Sequence, residues 1–374
     1  RWLHKIYWKN INGHCTKWSG YNWTGYTRST GKISMVIAQN GPGITGLVTP
    51  IKTAYWNHTP LLLVTPQAAN KTMGQGGFQE VEQMNLFKDM VCYQEEVRDP
   101  SRMAEVLNRV IEKAIRGSAP AQINVPRDYW TQVIDIELPP IVRFERQGGG
   151  KDAIQRAAKM LSDAKFPVIL SGAGVVIGDA INECKALAEK LDAPVCNGYQ
   201  HNDSFPGSHP LAVGPLGYNG SKAAMQLISK ADVVLALGTR LNPFSTLPGY
   251  GIDYWPKDAN IIQVDMNPDR IGLTKKVTVG IAGDAKQVAK QIFDKLSSNA
   301  GDSGREDRKN LIHQTKSAWL QTLTSLDHED DDPGTVWNKE ARERDKDRMS
   351  PRQAWRAIQA AMPEDAIISS DIGN

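Results

Sequence analysis

The sequence predicts an α/β protein made of two consecutive doubly wound parallel-sheet domains. Three observations carry this. Short apolar runs recur along the chain, Gly- or Pro-bearing turns follow them, and amphipathic helical stretches lie between. Strands that alternate with helices in this way run parallel and are joined by right-handed crossovers.

The 374 residues, 40% of them hydrophobic, suffice for two or three domains with real cores. Charged residues make up 23% and the net charge is only +3, which gives no reason to expect nucleic acid or an acidic membrane as partner. No apolar run has the length needed to span a bilayer. Cys15, Cys92, Cys184 and Cys196 are scattered, without a paired spacing or a histidine cluster. Neither a disulfide framework nor a zinc site is expected, and a reducing cytoplasm is the natural compartment.

Residues 1–24 stand apart. They hold Trp2, Trp8, Trp18 and Trp23, four of the ten tryptophans, at spacings that fit neither a helical face nor a strand. No acidic residue occurs before Glu80. The segment reads as foreign to the fold, a misread stretch, as against a genuine aromatic arm. From Gly25 the texture changes. A strand over 33–39 ends in the turn Asn40-Gly41-Pro42-Gly43, a helix is expected over 45–53, and a buried strand over 60–65. The stretch 102–116 is an amphipathic helix with Met103, Val106, Leu107, Val110, Ile111 and Ala114 on one face. A strand over 121–125 follows, and the first domain closes near Arg146 before a Gly148-Gly149-Gly150 linker.

The second unit repeats the pattern. A helix over 153–164 leads to strand 167–171, the turn Gly172-Ala173-Gly174 and a helix over 180–191. Strands are expected over 194–196, 233–237 and 260–264, the last ending in Asp265. Beyond Asp284 a helix runs into a charged stretch, 297–348, read as a connector carrying one helix over 305–326. Ser350-Pro351 then opens a helix that reaches Met362, and a strand over 366–370 follows.

Single motifs are weak. Gly172-Ala173-Gly174 could rest a phosphate on helix amides or be a close-packed turn, and Ile177 stands where a third glycine would be. Asp265 could bind a ribose hydroxyl or cap its own turn. His58, His201 and His209 lack metal spacing and read as turn residues.

The pieces say more together. GYTRSTGK, NGPG, GGFQE at 76–80, VPRD at 125–128, PVILSGAG at 167–174, ALGTR at 236–240, VDMNP at 264–268 and SSDIGN at 369–374 come in one order. Their order and spacing resemble the thiamine-diphosphate enzyme family, which includes acetohydroxyacid synthase, pyruvate oxidase and benzoylformate decarboxylase. Within it, the run 41–114 is most similar to an acyltransferase branch.

That resemblance implies a pyrimidine-binding domain over 25–147, a central Rossmann-like domain over 151–297, a charged connector over 298–349 and the start of a truncated diphosphate-binding domain over 350–374. It places Gly41, Pro42 and Gly43 along the aminopyrimidine ring and brings Phe78 and Gln79 to the reacting centre, Gln79 as the candidate catalytic residue. Asn374 would lie near the diphosphate. The implied cofactors are thiamine diphosphate and Mg²⁺, with no metal ligand in this chain. The implied substrates are a small sulfonated aldehyde and phosphate, and sites shared between subunits imply a dimer or tetramer. FAD is not expected, because Ser118 stands where the acetohydroxyacid synthases carry an arginine, with Arg116 two residues away. The family's ring-activating glutamate is expected near Thr16, where nothing acidic occurs. Its Mg²⁺ motif is expected beyond Asn374. The chain is therefore expected to be an incomplete, inert copy. The alternatives are an acetolactate synthase-type enzyme and a non-catalytic nucleotide-binding module built on the central domain.

Overall fold

The computed structural model describes residues 16–140, 145–328, 351–363, 365 and 366. The chain divides into two compact units, Arg1–Arg146 and Gln147–Asn374.

The first unit is built on a four-stranded parallel sheet in the order β1-β2-β4-β3, with β1 Ser34–Ile37, β2 Leu61–Gln67, β3 Tyr93–Glu96 and β4 Pro120–Pro126. Alternation along β2 shows why both faces must be covered. Leu61 and Leu63 pack with Val36, Ile44, Ile51 and Phe87, while Leu62 and Val64 pack with Val106, Val110 and Ala114. The second group lies on α5 (Met103–Gly117), whose amphipathic face is the one expected. The helix ends where Ser118 turns left-handed, at φ 45°.

The helix expected over 45–53 is two elements, a single turn α2 (Pro42–Thr45) and α3 (Val48–Trp56). Pro50 explains the break. In an unbroken helix its missing N–H would leave the Gly46 carbonyl without a donor, whereas a restart at Val48 puts Pro50 in a first turn.

The boundary expected at Gly25 falls inside a helix, α1 (Thr16–Thr30). Its inner face is Gly20, Thr24 and Thr27, all buried and spaced four and three residues apart. Thr24 Oγ1 donates to the Gly20 carbonyl at 2.9 Å, and Ser34 Oγ donates to the Trp23 carbonyl at 2.9 Å. Residues 20–24 thus pack within the first unit. A face of small residues and hydroxyls leaves no apolar periodicity to detect.

The second unit holds a six-stranded parallel sheet in the order β10-β9-β8-β5-β6-β7. Its strands are β5 Pro167–Ser171, β6 Val195–Asn197, β7 Ala212–Pro215, β8 Val233–Leu237, β9 Asn260–Asp265 and β10 Val279–Ala282. One continuous core joins the sheet to α6 (Lys151–Asp163), α8 (Ile181–Leu191) and α10 (Ala285–Lys295). Between β5 and β8 the strand order reverses, and the short α7 (Ala173–Ile177) begins at that point.

Helix α11 (Arg305–His328) is present, yet Ala300, Arg308 and Ile312 are buried in the second unit, so its first turns are domain and not linker. It packs against α9 (Lys222–Ile228). The last described helix, α12, is Pro351–Ala361. The acidic run at Asp330 and Asn374 lie outside the described residues, as does the strand expected over 366–370 apart from Ala366.

Candidate functional site

The first unit gathers its distinctive residues just beyond β1. After Ile37 the chain reaches Asn40, which is buried, and then Gly41 at φ 73°, ψ −117°. That conformation suits glycine alone. Pro42 takes the first position of α2, where a missing N–H costs nothing. The turn is closed by Ile44 N–H on the Gln39 carbonyl at 2.9 Å and Thr45 N–H on the Gly41 carbonyl at 2.9 Å.

A second loop meets this turn. Between Gly74 and Gly77, with Gly74 at φ 82° and Gly76 at φ 70°, the backbone curls round the Glu80 carboxylate. Glu80 accepts from Gly74 N–H at 2.6 Å and from Gly77 N–H at 3.2 Å. The curl places Gln79, itself left-handed at φ 63°, directly against Gly41. Asn40 Nδ2 donates to the Gln79 carbonyl at 3.0 Å, and Gln39 Nε2 donates to Gln79 Oε1 at 3.2 Å. Phe78 projects into solvent, 87% exposed. The structure therefore joins Gly41 and Gln79, keeps Pro42 and Gly43 beside them, and leaves Phe78 at the rim. Thr16 is the first residue of α1. Glu80, the first acid of the chain, has both oxygens engaged in holding its own loop.

Beneath the loop lies a polar network that sequence reasoning missed. Gln122 Nε2 donates to Thr65 Oγ1 at 2.9 Å, and Thr65 Oγ1 donates to Asn124 Oδ1 at 2.7 Å. Asn124 Nδ2 reaches Glu96 at 2.7 Å. Gln83, fully buried at the start of α4 (Gln83–Phe87), donates to the Pro66 carbonyl at 2.6 Å and so ties the loop's far end to β2. The signal was available, since Gln122 and Asn124 interrupt an apolar strand on one face, two residues apart.

In the second unit the geometry decides between the open readings. Gly174 N–H already donates to the Gly238 carbonyl at 2.8 Å, and a Cβ on Gly174 would fall 2.6 Å from Gly238 Cα. The glycines serve close packing of two turns, and the amide that a phosphate would need is occupied. Asp265 caps its own turn through Asn267 N–H at 2.9 Å; burial raises its carboxyl pKa, while that bond and the nearby Arg270 and Arg240 act against the rise. His209 Nε2 lies 3.2 Å from Glu189 Oε1, and His201 Nδ1 lies 3.8 Å from Asp203 Oδ1. Among the described residues no three His, Cys, Asp or Glu side chains gather as a metal site, and no helix is long and apolar enough to cross a membrane.

Two parallel-sheet units of this kind, the first presenting a glycine turn against a Phe-Gln loop, are the architecture of a known enzyme class. Residues 20–86 match the N-terminal TPP-binding domain of the thiamine pyrophosphate enzymes, and residues 154–292 match their central domain. The chain belongs to that family. It is 77% identical over 350 residues to a probable sulfoacetaldehyde acetyltransferase of Rhizobium meliloti, covering 94% of this chain and 59% of the relative. A sulfoacetaldehyde acetyltransferase of Roseovarius nubinhibens is also 77% identical, over 94% of this chain and 58% of its own length. A probable acetolactate synthase large subunit of Methanocaldococcus jannaschii is 34% identical over 81% of this chain and 50% of its own length. The chain thus spans somewhat under two thirds of the relatives it matches.

Proposed function

We propose that the chain serves a thiamine-diphosphate-dependent acyl transfer in which sulfoacetaldehyde and phosphate become acetyl phosphate and sulfite. The observation that carries the reading is the joining of Gly41 to Gln79, in a chain 77% identical to two relatives bearing that enzyme's name. When bound, thiamine diphosphate would supply an electron sink for the two-carbon unit.

The chain's own residues would do the rest. Gly41, without a side chain, and Pro42, without an N–H, offer a flat backbone edge to the aminopyrimidine ring, with Gly43 behind them. Gln79 would present its amide to the substrate, aimed by Gln39, and Phe78 would supply an apolar wall at the rim. The cradle fits the ring. The acid that should activate it does not follow, because residue 16 is a threonine and Glu80 is committed to Gly74 and Gly77. No proton transfer to the ring is therefore assigned, and turnover with Thr16 in place is expected to be negligible. In this reading residues 25–147 are the pyrimidine-binding domain and 151–297 the central domain. Residues 350–374 open the diphosphate-binding domain, which would bring Mg²⁺. Self-association as a dimer or tetramer in the cytoplasm belongs to the same reading.

Substrate choice is the test. The full gene product carrying Thr16→Glu, given thiamine diphosphate and Mg²⁺, should release sulfite from sulfoacetaldehyde and make no acetolactate from pyruvate. Acetolactate instead would favour the acetolactate synthase reading. The nucleotide-binding alternative is disfavoured by the occupied Gly174 amide.

A further inference from the structure

Gln79, at φ 63°, holds a left-handed backbone conformation that a residue with a side chain adopts only at a cost, so something must hold it there. Its neighbours supply two restraints. The loop's own bonds run through Glu80 and stop short of Gln79. The remaining contacts come from the β1 turn: Asn40 Nδ2 on the Gln79 carbonyl at 3.0 Å, and Gln39 Nε2 on Gln79 Oε1 at 3.2 Å. Gln39 also donates to Asn40 Oδ1 at 3.4 Å, which closes a ring through Gln39, Asn40 and both the main chain and side chain of Gln79.

We propose that Asn40 is a positioning residue for the reaction centre, fixing Gln79 in its left-handed conformation so that the Gln79 amide faces the Gly41 cradle. The argument rests on chemistry as well as distance. A carbonyl oxygen only accepts, so the Asn40 atom facing it must be the amide nitrogen, and the other amide atom is then the oxygen that Gln39 meets. Asn40 is 6% exposed, so water cannot easily replace the bond. Alanine, serine or threonine at this position is too short to span the gap from the β1 turn to the Gln79 carbonyl. Aspartate has the right size and the wrong chemistry, because two oxygens would then face each other. The proposal deepens the proposed function and rests on it for its meaning, but the interlock can be tested without cofactor or substrate.

Asn40→Asp and Asn40→Ala are compared with the parent chain by hydrogen exchange over residues 74–80 and by ¹⁹F NMR of 4-fluorophenylalanine placed at Phe78. Loss of one buried hydrogen bond should speed exchange across that segment about tenfold in both variants. The ¹⁹F line should shift or broaden in Asn40→Asp at neutral pH, then return toward the parent position on acidification, when the protonated carboxyl can donate again. A role in packing alone would give no such pH response in a variant of equal size. Exchange within about twofold of the parent in both variants, or a ¹⁹F line that does not move in Asn40→Asp, overturns the proposal. Should Asn40→Ala fail to fold, the equal-sized aspartate variant decides. In a turnover-competent protein, Asn40→Asp should lower kcat and leave the KM for phosphate unchanged. A Thr16→Glu protein that never turns over sulfoacetaldehyde would sink the proposed function and leave the exchange and ¹⁹F results to judge Asn40.

Discussion

Arg308 and Leu191, 117 residues apart in sequence, meet where Arg308 Nη2 donates to the Leu191 carbonyl at 2.9 Å. The same guanidinium reaches the carbonyls of Asp192 at 3.0 Å, Lys165 at 2.6 Å, Ser303 at 2.8 Å and Gly301 at 2.5 Å. All five N–H donors are used, on a side chain only 1% exposed. Arg308 thereby fastens the start of α11 to the end of α8. Arg308→Met should cost about 3–5 kcal/mol, because the carbonyls lose their donors. Arg308→Lys should recover only part of this, having three donors in another geometry. Denaturant unfolding of both variants checks the order.

Gly41→Ala should destabilise the first unit by about 1–3 kcal/mol, from the left-handed backbone and a Cβ placed 2.9 Å from Gln79 Cβ. Exchange at residues 74–80 should rise in the same variant. An unchanged loop would separate the two sites that the structure joins.

Acid should weaken the first unit through Glu95. Hydrogen bonds from Arg109, at 2.7 and 2.8 Å, hold its carboxyl below the usual glutamate range. The folded chain then binds this proton at lower pH than the unfolded chain does. The stabilisation is whole above the unfolded value and is lost as pH falls toward the folded one. Arg109→Gln should be about 0.5–1 kcal/mol less stable at neutral pH, a small figure because Arg109 is partly exposed. Arg109 also holds Glu105, whose carboxyl lies at about 2, so the two stabilities should draw together only as pH falls below the usual carboxylate range and both glutamates take up protons.

Thiol reactivity should follow burial. Cys184 is fully buried, which pushes its thiol up to about 12, and burial raises Cys196 further. In the folded chain both should resist a thiol reagent at pH about 8, and both should react once the chain is unfolded.

Much of the fold was legible because its strands are apolar runs between Gly- and Pro-bearing turns. What escaped has particular causes. Strand β3 is Tyr-Gln-Glu-Glu, an edge strand without apolar alternation. Helix α1 buries glycine and threonine and so lacks the stripe that marks a core helix; α11 was expected as a helix, but its buried Arg308 gave no sign that its first turns pack into the second unit. In the site, Gly41 could be read as a backbone-exposing turn. Its partner Gln79 was reachable only through family resemblance, since no local pattern brings together residues 38 apart. Asn40 looked like an ordinary turn residue until its bond to the Gln79 carbonyl was seen.

The most direct test of the account is the rate of acetyl phosphate formation from sulfoacetaldehyde and phosphate by the full gene product, with Thr16 and with Thr16→Glu. The missing acid is worth about 100-fold or more, so the variant should be faster by at least that factor and should require added thiamine diphosphate. Equal rates for the two proteins would contradict it, as would a variant that still makes no acetyl phosphate.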